Sequence, residues 1–236
     1  HDSRRELVEL AAQQPATITP RIEASTLTFE VPRLYPLAFG TDGADATATA
    51  RVLAHFALSL HEHEREATEP TDTLVRLRAA APVRPGLQEH AREVERALNA
   101  FESASEHHLL HGDLGLGSTV AQADSLAVVT GDHLCWGPRE FDIGWLLGDL
   151  LEHAHLRGRD ESEREFAREV GRVFLSEYRK AAEHLDVELV HSFLVCRLLS
   201  YVLDAAGVSP AGFDAILPLA DRTESWLEEL REGERG

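Results

Sequence analysis

At 236 residues, with 43% hydrophobic content and a mean hydropathy of -0.23, the chain has the size and composition of a globular protein with a sizeable core. A net charge of -18 argues against a nucleic-acid backbone or an anionic membrane as the main partner, and weakly suits a cationic small molecule. No apolar run approaches the roughly 18–20 residues of a membrane span, and two cysteines, Cys135 and Cys196, make no disulfide framework, so a reducing, cytoplasmic setting is expected.

The opening HDSRRELVEL is charged and then amphipathic, which is not the pattern of a secretory leader. Residues 4–12 have helical spacing, with Leu7, Val8, Leu10 and Ala11 on one side. Gln14 to Pro20 reads as a breaker segment, and the alternating TLTFEV of residues 26–31 as a strand. Residues 37–46 read as a loop. A long amphipathic helix is expected over about 47–66, with Val52, Leu53, Phe56 and Leu60 at core spacing, and another over about 86–104. Between 107 and 136, short apolar runs are separated by Gly and Asp, the pattern of strands and loops. From 141 onward the chain reads as helical, over about 141–155, 160–184, 187–206 and 210–232. The expected class is therefore α+β, mostly helical, with a small central β-hairpin region.

The most informative segment is His111-Gly112-Asp113-Leu114-Gly115-Leu116-Gly117-Ser118. Leu109 and Leu110 place Asp113 just past a short strand, where its carboxylate can take a proton from a substrate hydroxyl. In kinases a residue five positions after such an acid holds a metal bound to the nucleotide phosphates. The tripeptide HGD alone is weak evidence and also fits an ordinary turn. The second segment strengthens it: an apolar strand at 126–129, then Thr130-Gly131-Asp132, then Trp136-Gly137-Pro138-Arg139-Glu140-Phe141-Asp142-Ile143-Gly144. An acid after the second strand of such a hairpin is where a kinase binds Mg²⁺. Asp142 opens a helix, where a carboxylate caps and anchors.

Together these residues resemble the aminoglycoside phosphotransferase and choline kinase family. LAHFALSLH (53–61) resembles that family's helix ending in Leu-His, FLSEYRK (174–180) its Phe-Leu-x-x-Tyr helix, and LTFEV (27–31) its hinge strand. The resemblance spans roughly 5–205 and is specific over 107–149. It implies a protein-kinase-like fold, with residues 1–36 as the remnant of an N-terminal lobe and 37–236 as the helical C-terminal lobe. It implies transfer of phosphate from ATP or GTP, with Mg²⁺, to a hydroxyl of an amino-sugar or amino-alcohol. Asp113 matches the catalytic base, His111 and Asp142 the structural residues of the loop, and Ser118 and Asp132 the metal site. Glu30 and Val31 fall at the nucleotide-facing hinge.

Two departures matter. In the family, about twelve residues separate the metal-binding Asp from the residue matching Asp142. That spacing lands on Thr130, so the metal Asp is lost, or Asp132 substitutes, or the sequence is short of residues in between. Met is absent throughout, so such a gap would shorten any spacing read across it. The only lysine, Lys180, lies deep in a C-terminal helix, and no Gly-rich loop precedes Leu27. A working kinase needs both a covering loop and a phosphate-binding lysine, so a kinase-like scaffold without catalysis is the competing expectation.

Other polar clusters carry plainer expectations. On a helix His61 and His63 point about 200° apart and cannot share an ion, so a solvated face is expected there. His107, His108, His153 and His155 are expected at the surface or as satisfied hydrogen-bonders, and Trp136 and Trp145 in the core. Glu183, Asp186, Glu188 and Asp204 would border a family-type substrate cleft or simply solvate helices. Ile216, Leu217, Leu219, Trp226 and Leu227 form an apolar face for packing within or between chains.

Overall fold

The computed structural model describes residues 2–14, 17–18, 21–23, 26–28, 35–36, 45–65, 70–84, 86–104, 106–122, 125–158, 160–182, 184–205 and 210–232. In chain order they form α1 (Asp2–Ala11), β1 (Thr17–Ile18), β2 (Arg21–Glu23), β3 (Thr26–Thr28), β4 (Tyr35–Pro36), α2 (Ala46–His61), β5 (Glu64–Arg65), α3 (Asp72–Ala80) and α4 (Ala91–Ser103). Then follow β6 (His107–Leu110), β7 (Thr119–Gln122), β8 (Ser125–Val129), β9 (Cys135–Gly137), α5 (Glu140–Glu152), α6 (Glu161–Ala181), α7 (Val187–Ala205), α8 (Pro210–Ala220) and α9 (Thr223–Glu232). The class is α+β and mostly helical, as the sequence implies.

The strands form three small sheets: β1-β8-β7-β4, the hairpin β2-β3, and β5-β6-β9. β7 and β8 are an antiparallel hairpin, with Val120 opposite Ala127, and β9 lies antiparallel to β6, with Leu109 opposite Trp136. The loop that carries Asp113 therefore leaves the end of β6 and enters β7, while the chain from β8 returns beside it through β9. β1 falls in the expected breaker segment, where Thr17 and Ile18 pair in parallel with Val128 and Val129. In the expected strand 26–31, Thr26–Thr28 is β3, paired with β2. The loop expected at 37–46 falls mostly outside the described residues.

α5 is the centre of the core. Every residue from Glu140 to Glu152 is buried, including the acids Glu140, Asp142, Asp149 and Glu152, so the helix is enclosed by others on all sides. α7 crosses it at very close range because Gly144 and Gly148 face it. A Cβ on Gly144 would lie 2.6 Å from both Phe193 Cβ and Val190 O, and one on Gly148 would lie 2.8 Å from Arg197 Cγ. Phe141 stacks on Trp145 with ring centroids 4.5 Å apart and meets Phe101 and Phe193 edge-on. Of the apolar face on the last helices, Ile216, Leu219, Trp226 and Leu227 are buried in this same core, so the packing is within the chain.

Several boundaries differ from the sequence reading for identifiable reasons. α2 stops at His61, five residues short of expectation, because Glu64 and Arg65 pair with His108 and His107 as a strand. At its start Asp45 accepts the Thr47 and Ala48 amides, a side-chain cap. The helix expected over 86–104 begins at Ala91. Gly86 is at φ +85°, a left-handed turn rather than a helix position, and a 3-10 turn spans Gln88–His90. α3 was not anticipated, although Leu74 and Leu77 are buried at helical spacing behind Asp72. The last expected helix divides into α8 and α9 at Asp221 and Arg222, just after Pro218 removes a helix amide.

Gly144→Ala should destabilise the protein by about 1–3 kcal/mol, because the added methyl meets backbone and Cβ atoms that cannot swing aside. Urea unfolding measures this. A variant within a few tenths of wild type would mean that α5 and α7 are not pressed together there.

Candidate active site

The loop from His111 to Ser118 is built around Asp142. This carboxylate is wholly buried, at 0% exposure, in the first turn of α5. Its Oδ2 accepts the His111 amide at 2.7 Å, and its Oδ1 accepts the Gly112 amide at 2.9 Å. His61 Nε2 donates to Oδ2 at 3.3 Å, and His61 Nδ1 is hydrogen-bonded to the Tyr178 hydroxyl at 2.7 Å. The Leu-His end of α2, the Tyr of α6 and the start of α5 thus meet in one buried chain of hydrogen bonds that ends on the loop backbone. Gly112 is required here: its φ is +80°, and a Cβ would lie 1.9 Å from the His133 carbonyl oxygen.

His111 locks the loop a second time. Nε2 donates to the Val129 carbonyl at 2.9 Å, tying the loop to the end of β8, and Nδ1 accepts the Asp113 amide at 3.2 Å. A further clamp comes from Asp149, whose Oδ2 accepts the Leu116 amide at 2.8 Å. Gly115 leaves room for it, since a Cβ there would lie 2.9 Å from that oxygen.

Asp113 is thereby presented on a rigid loop with its side chain 40% exposed. Trp145 Nε1 donates to its Oδ1 at 3.0 Å, and Arg197 Nη1 donates to the same oxygen at 3.1 Å. Both bonds fall on Oδ1, which leaves Oδ2 to face an acceptor. Trp145 is in the core as expected, but its indole N–H also orients the expected base, a role its position in the sequence does not reveal. Arg197 was not singled out by the sequence reading. It lies 84 residues from Asp113, and the one local signal that marks it is its place as the single charge in the apolar stretch from Ser192 to Leu203.

Ser118 closes the loop on itself. Its hydroxyl donates to the Gly115 carbonyl at 2.8 Å and accepts the Gly115 amide at 3.3 Å. A hydroxyl oxygen with one lone pair so used keeps another for a ligand. Thr130 is fully buried, whereas Asp132 is exposed in the turn after β8. Ser118 and Asp132 are oxygen donors of the kind Mg²⁺ takes alongside nucleotide phosphates, which fill most of its sphere. No cluster of three or more His, Cys, Asp or Glu that could hold a metal by protein ligands alone occurs among the described residues. Glu30 and Val31 lie outside the described residues.

Several plainer expectations change. His61 is buried rather than on a solvated face, while His107 and His108 are buried in β6 as hydrogen-bonded residues, one of the two places expected for them. His108 Nδ1 bonds the His61 carbonyl at 2.7 Å. Asp186 caps α7 by accepting the Leu189 amide, Glu188 pairs with Arg96, and Asp204 pairs with Arg76, while Glu183 lies outside the described residues. A cavity of about 580 Å³ is lined by Arg139, Glu140, His184, Asp186 and Glu188, and its lining does not include Asp113. Burial pushes both thiols, Cys135 and Cys196, far above the usual range, so neither is a nucleophile at neutral pH.

Two consequences can be measured. Asp142→Ala leaves the His111 and Gly112 amides and His61 without their acceptor, which should cost roughly 3 kcal/mol or more in chemical unfolding; a loss under 1 kcal/mol would mean the clamp is dispensable. The second concerns acid. Burial lowers the pKa of His107, His108 and His153 from the usual 6.5. Below pH 6.5 the unfolded chain takes protons that these native side chains refuse, so their contribution to stability is lost as pH falls from 6.5. Burial of Glu140 and Glu152 raises their pKa and acts oppositely, adding stability as pH falls toward 4.5. His108→Gln should therefore show a smaller drop in melting temperature between pH 7.5 and 5.5 than wild type, and an unchanged slope would contradict the assignment.

The chain has the protein-kinase-like fold of solved small-molecule kinases. Superposed on glucosamine kinase it gives a TM-score of 0.61 at 16% identity, covering 95% of this chain and 68% of that one. An amicoumacin kinase in complex with AMP-PNP and Ca²⁺ gives 0.61 at 14% identity, covering 93% and 75%, and a Plasmodium vivax ethanolamine kinase gives 0.61 at 12% identity, covering 97% and 73%. Against the glucosamine kinase structures this chain spans between 55% and 73% of their length. No protein-family model and no curated protein matches the sequence. No described helix is long and apolar enough to cross a membrane.

Proposed function

We propose that this protein is a small-molecule phosphotransferase that moves the γ-phosphoryl group of ATP or GTP to a hydroxyl of its acceptor. The observation that carries this reading is the presentation of Asp113. The loop backbone is fixed by Asp142, the carboxylate is held at one oxygen by Trp145 and Arg197, and its side chain is still 40% exposed. Phosphoryl transfer asks little covalent chemistry of a protein and much positioning, which is what this loop supplies.

In the proposed step, Asp113 Oδ2 accepts the proton of the acceptor hydroxyl. The hydroxyl oxygen bonds to the γ-phosphorus, the bond from that phosphorus to the β–γ bridging oxygen breaks, and the nucleoside diphosphate leaves. His111 and Asp142 keep Asp113 in place through the loop backbone. Ser118 and Asp132 would hold Mg²⁺, which supplies charge neutralisation on the phosphate oxygens when bound. Glu30 and Val31 would meet the nucleotide base, with residues 1–36 as what this chain retains of an N-terminal lobe. Solved relatives with glucosamine and ADP, and with GDP and kanamycin, support a nucleotide-dependent reaction on a small acceptor.

A kinase-like scaffold without catalysis is favoured by one observation. The chain's only lysine, Lys180, is exposed on α6 and pairs with Glu177 at 3.1 Å, so no lysine is placed to bind phosphates. The two readings separate in a melting experiment on the full chain with ATP or GTP, with and without Mg²⁺. A Mg²⁺-dependent rise that Asp132→Ala removes is the expected result. Asp113→Asn should keep that rise and the fold while lowering transfer by at least about 10²-fold. No rise at millimolar nucleotide would favour the scaffold.

A further inference from the structure

Arg197 sits in surroundings that proteins use to bind cations. Its side chain is only 14% exposed. Nη1 donates to Asp113 Oδ1 at 3.1 Å, and Nη2 bonds the Tyr201 hydroxyl and approaches Asp149 Oδ1 at 3.5 Å. The guanidinium carbon lies 4.1 Å from the centre of the Tyr201 ring and 5.3 Å from that of Trp145. Two carboxylates and two aromatic faces around one positive charge make a cation cage. The cage is built for this side chain: Gly148 on α5 leaves the space through which the Arg197 stem passes, where a Cβ would lie 2.8 Å from Cγ.

The carboxylates of the cage are already committed. Asp149 accepts from Leu116 at one oxygen and from Tyr201 at the other. The neighbouring Glu152 pairs with Arg157 at 3.0 Å, and Arg157 in turn lies 5.3 Å over the Tyr201 ring. Arg197 Nε is buried with no hydrogen-bond partner among the described residues. Such an orphaned donor costs stability, which marks the side chain as kept for more than packing.

We propose that Arg197 sets the acceptor specificity of the site: it fills the cage of Asp113, Asp149, Trp145 and Tyr201 with the chain's own cation, so the acceptor is a neutral or anionic alcohol and amines are excluded. The inference rests on the phosphotransferase reading for the word acceptor, but the cage itself does not. An amine brought to Asp113 would meet the guanidinium at close range and find its counter-charges spent. A neutral sugar or a hydroxy acid does not meet that repulsion from the guanidinium. This separates the chain from kinases of similar fold that act on glucosamine or ethanolamine.

The test is calorimetric binding to the full chain, wild type against Arg197→Ala, with methylguanidinium, ethanolamine and glucosamine as cationic probes and glucose and gluconate as neutral and anionic ones. Arg197→Ala should gain at least about tenfold in affinity for methylguanidinium, and should also shift its preference toward ethanolamine over glucose, which a merely structural residue would not do. Arg197→Lys, which keeps a cation in the cage, should exclude it as wild type does. Should Arg197→Ala fail to fold, Arg197→Ser, which likewise empties the cage and removes the charge, takes its place. Wild type should bind glucose or gluconate at least about tenfold better than glucosamine. Equal or tighter binding of glucosamine or ethanolamine by wild type would overturn the proposal, and so would a neutralised variant that gains nothing for methylguanidinium. Because binding is read without turnover, a chain that transfers no phosphate can still reveal the cage. A chain that phosphorylates an amine would refute the specificity while upholding the transfer.

Discussion

One buried carboxylate holds the functional geometry together. Asp142 has no exposure to solvent, and an unpaired charge in such a place would be costly. It is tolerated because two backbone amides and an imidazole point at it. Those amides belong to His111 and Gly112, so satisfying the carboxylate and shaping the Asp113 loop are one event. His61 passes the constraint to Tyr178, which makes the orientation of α2 and α6 part of the same network. Loop geometry, usually the softest part of a structure, is thereby coupled to the tightest part of the core.

The second layer of support comes from α5 and α7. Glycines at 144 and 148 bring the two helix axes together, and that closeness lets Arg197 reach across to Asp113 while Asp149 reaches up to Leu116. Lengthening either glycine by a methyl would press on the helix that carries the guanidinium. Packing and electrostatics are therefore not separable here. The face of α5 that holds the loop also fixes the charge balance around the expected base, with Arg197 and Arg157 set against Asp113, Asp149 and Glu152. The net charge of -18, read from the sequence as a weak hint of a cationic ligand, says little about this site. The local balance is set by a few side chains brought together from distant segments.

What the sequence made legible was whatever is local. The helical spacing of α2, α6 and α7, the apolar strand at 126–129 and the order of His111, Asp113 and Asp142 all depend on residues close in the chain, and the fold class follows from them. What stayed hidden depends on contacts between remote segments. His61 looked like part of a solvated helix end because its partners, Asp142 and Tyr178, lie 81 and 117 residues away. Whether His107 and His108 were exposed or buried stayed open because the strands that flank them, β5 and β9, are too short to register as patterns. α2 ended early for the same reason: pairing with β6 overrode local propensity. Arg197 is the one charge in the apolar stretch from Ser192 to Leu203, a local signal whose meaning depends on partners far off in the chain.

The central claim is that Asp113 faces the phosphoryl group of a bound nucleotide. The most direct measurement is a crystal structure of the full chain with a non-hydrolysable ATP analogue and Mg²⁺. The account expects the γ-phosphate in the cleft beside Asp113 Oδ2, with Asp132 and Ser118 on the metal and the contacts of Asp142 unchanged. Nucleotide bound away from the loop, as in the cavity lined by Arg139 and Asp186, would contradict it.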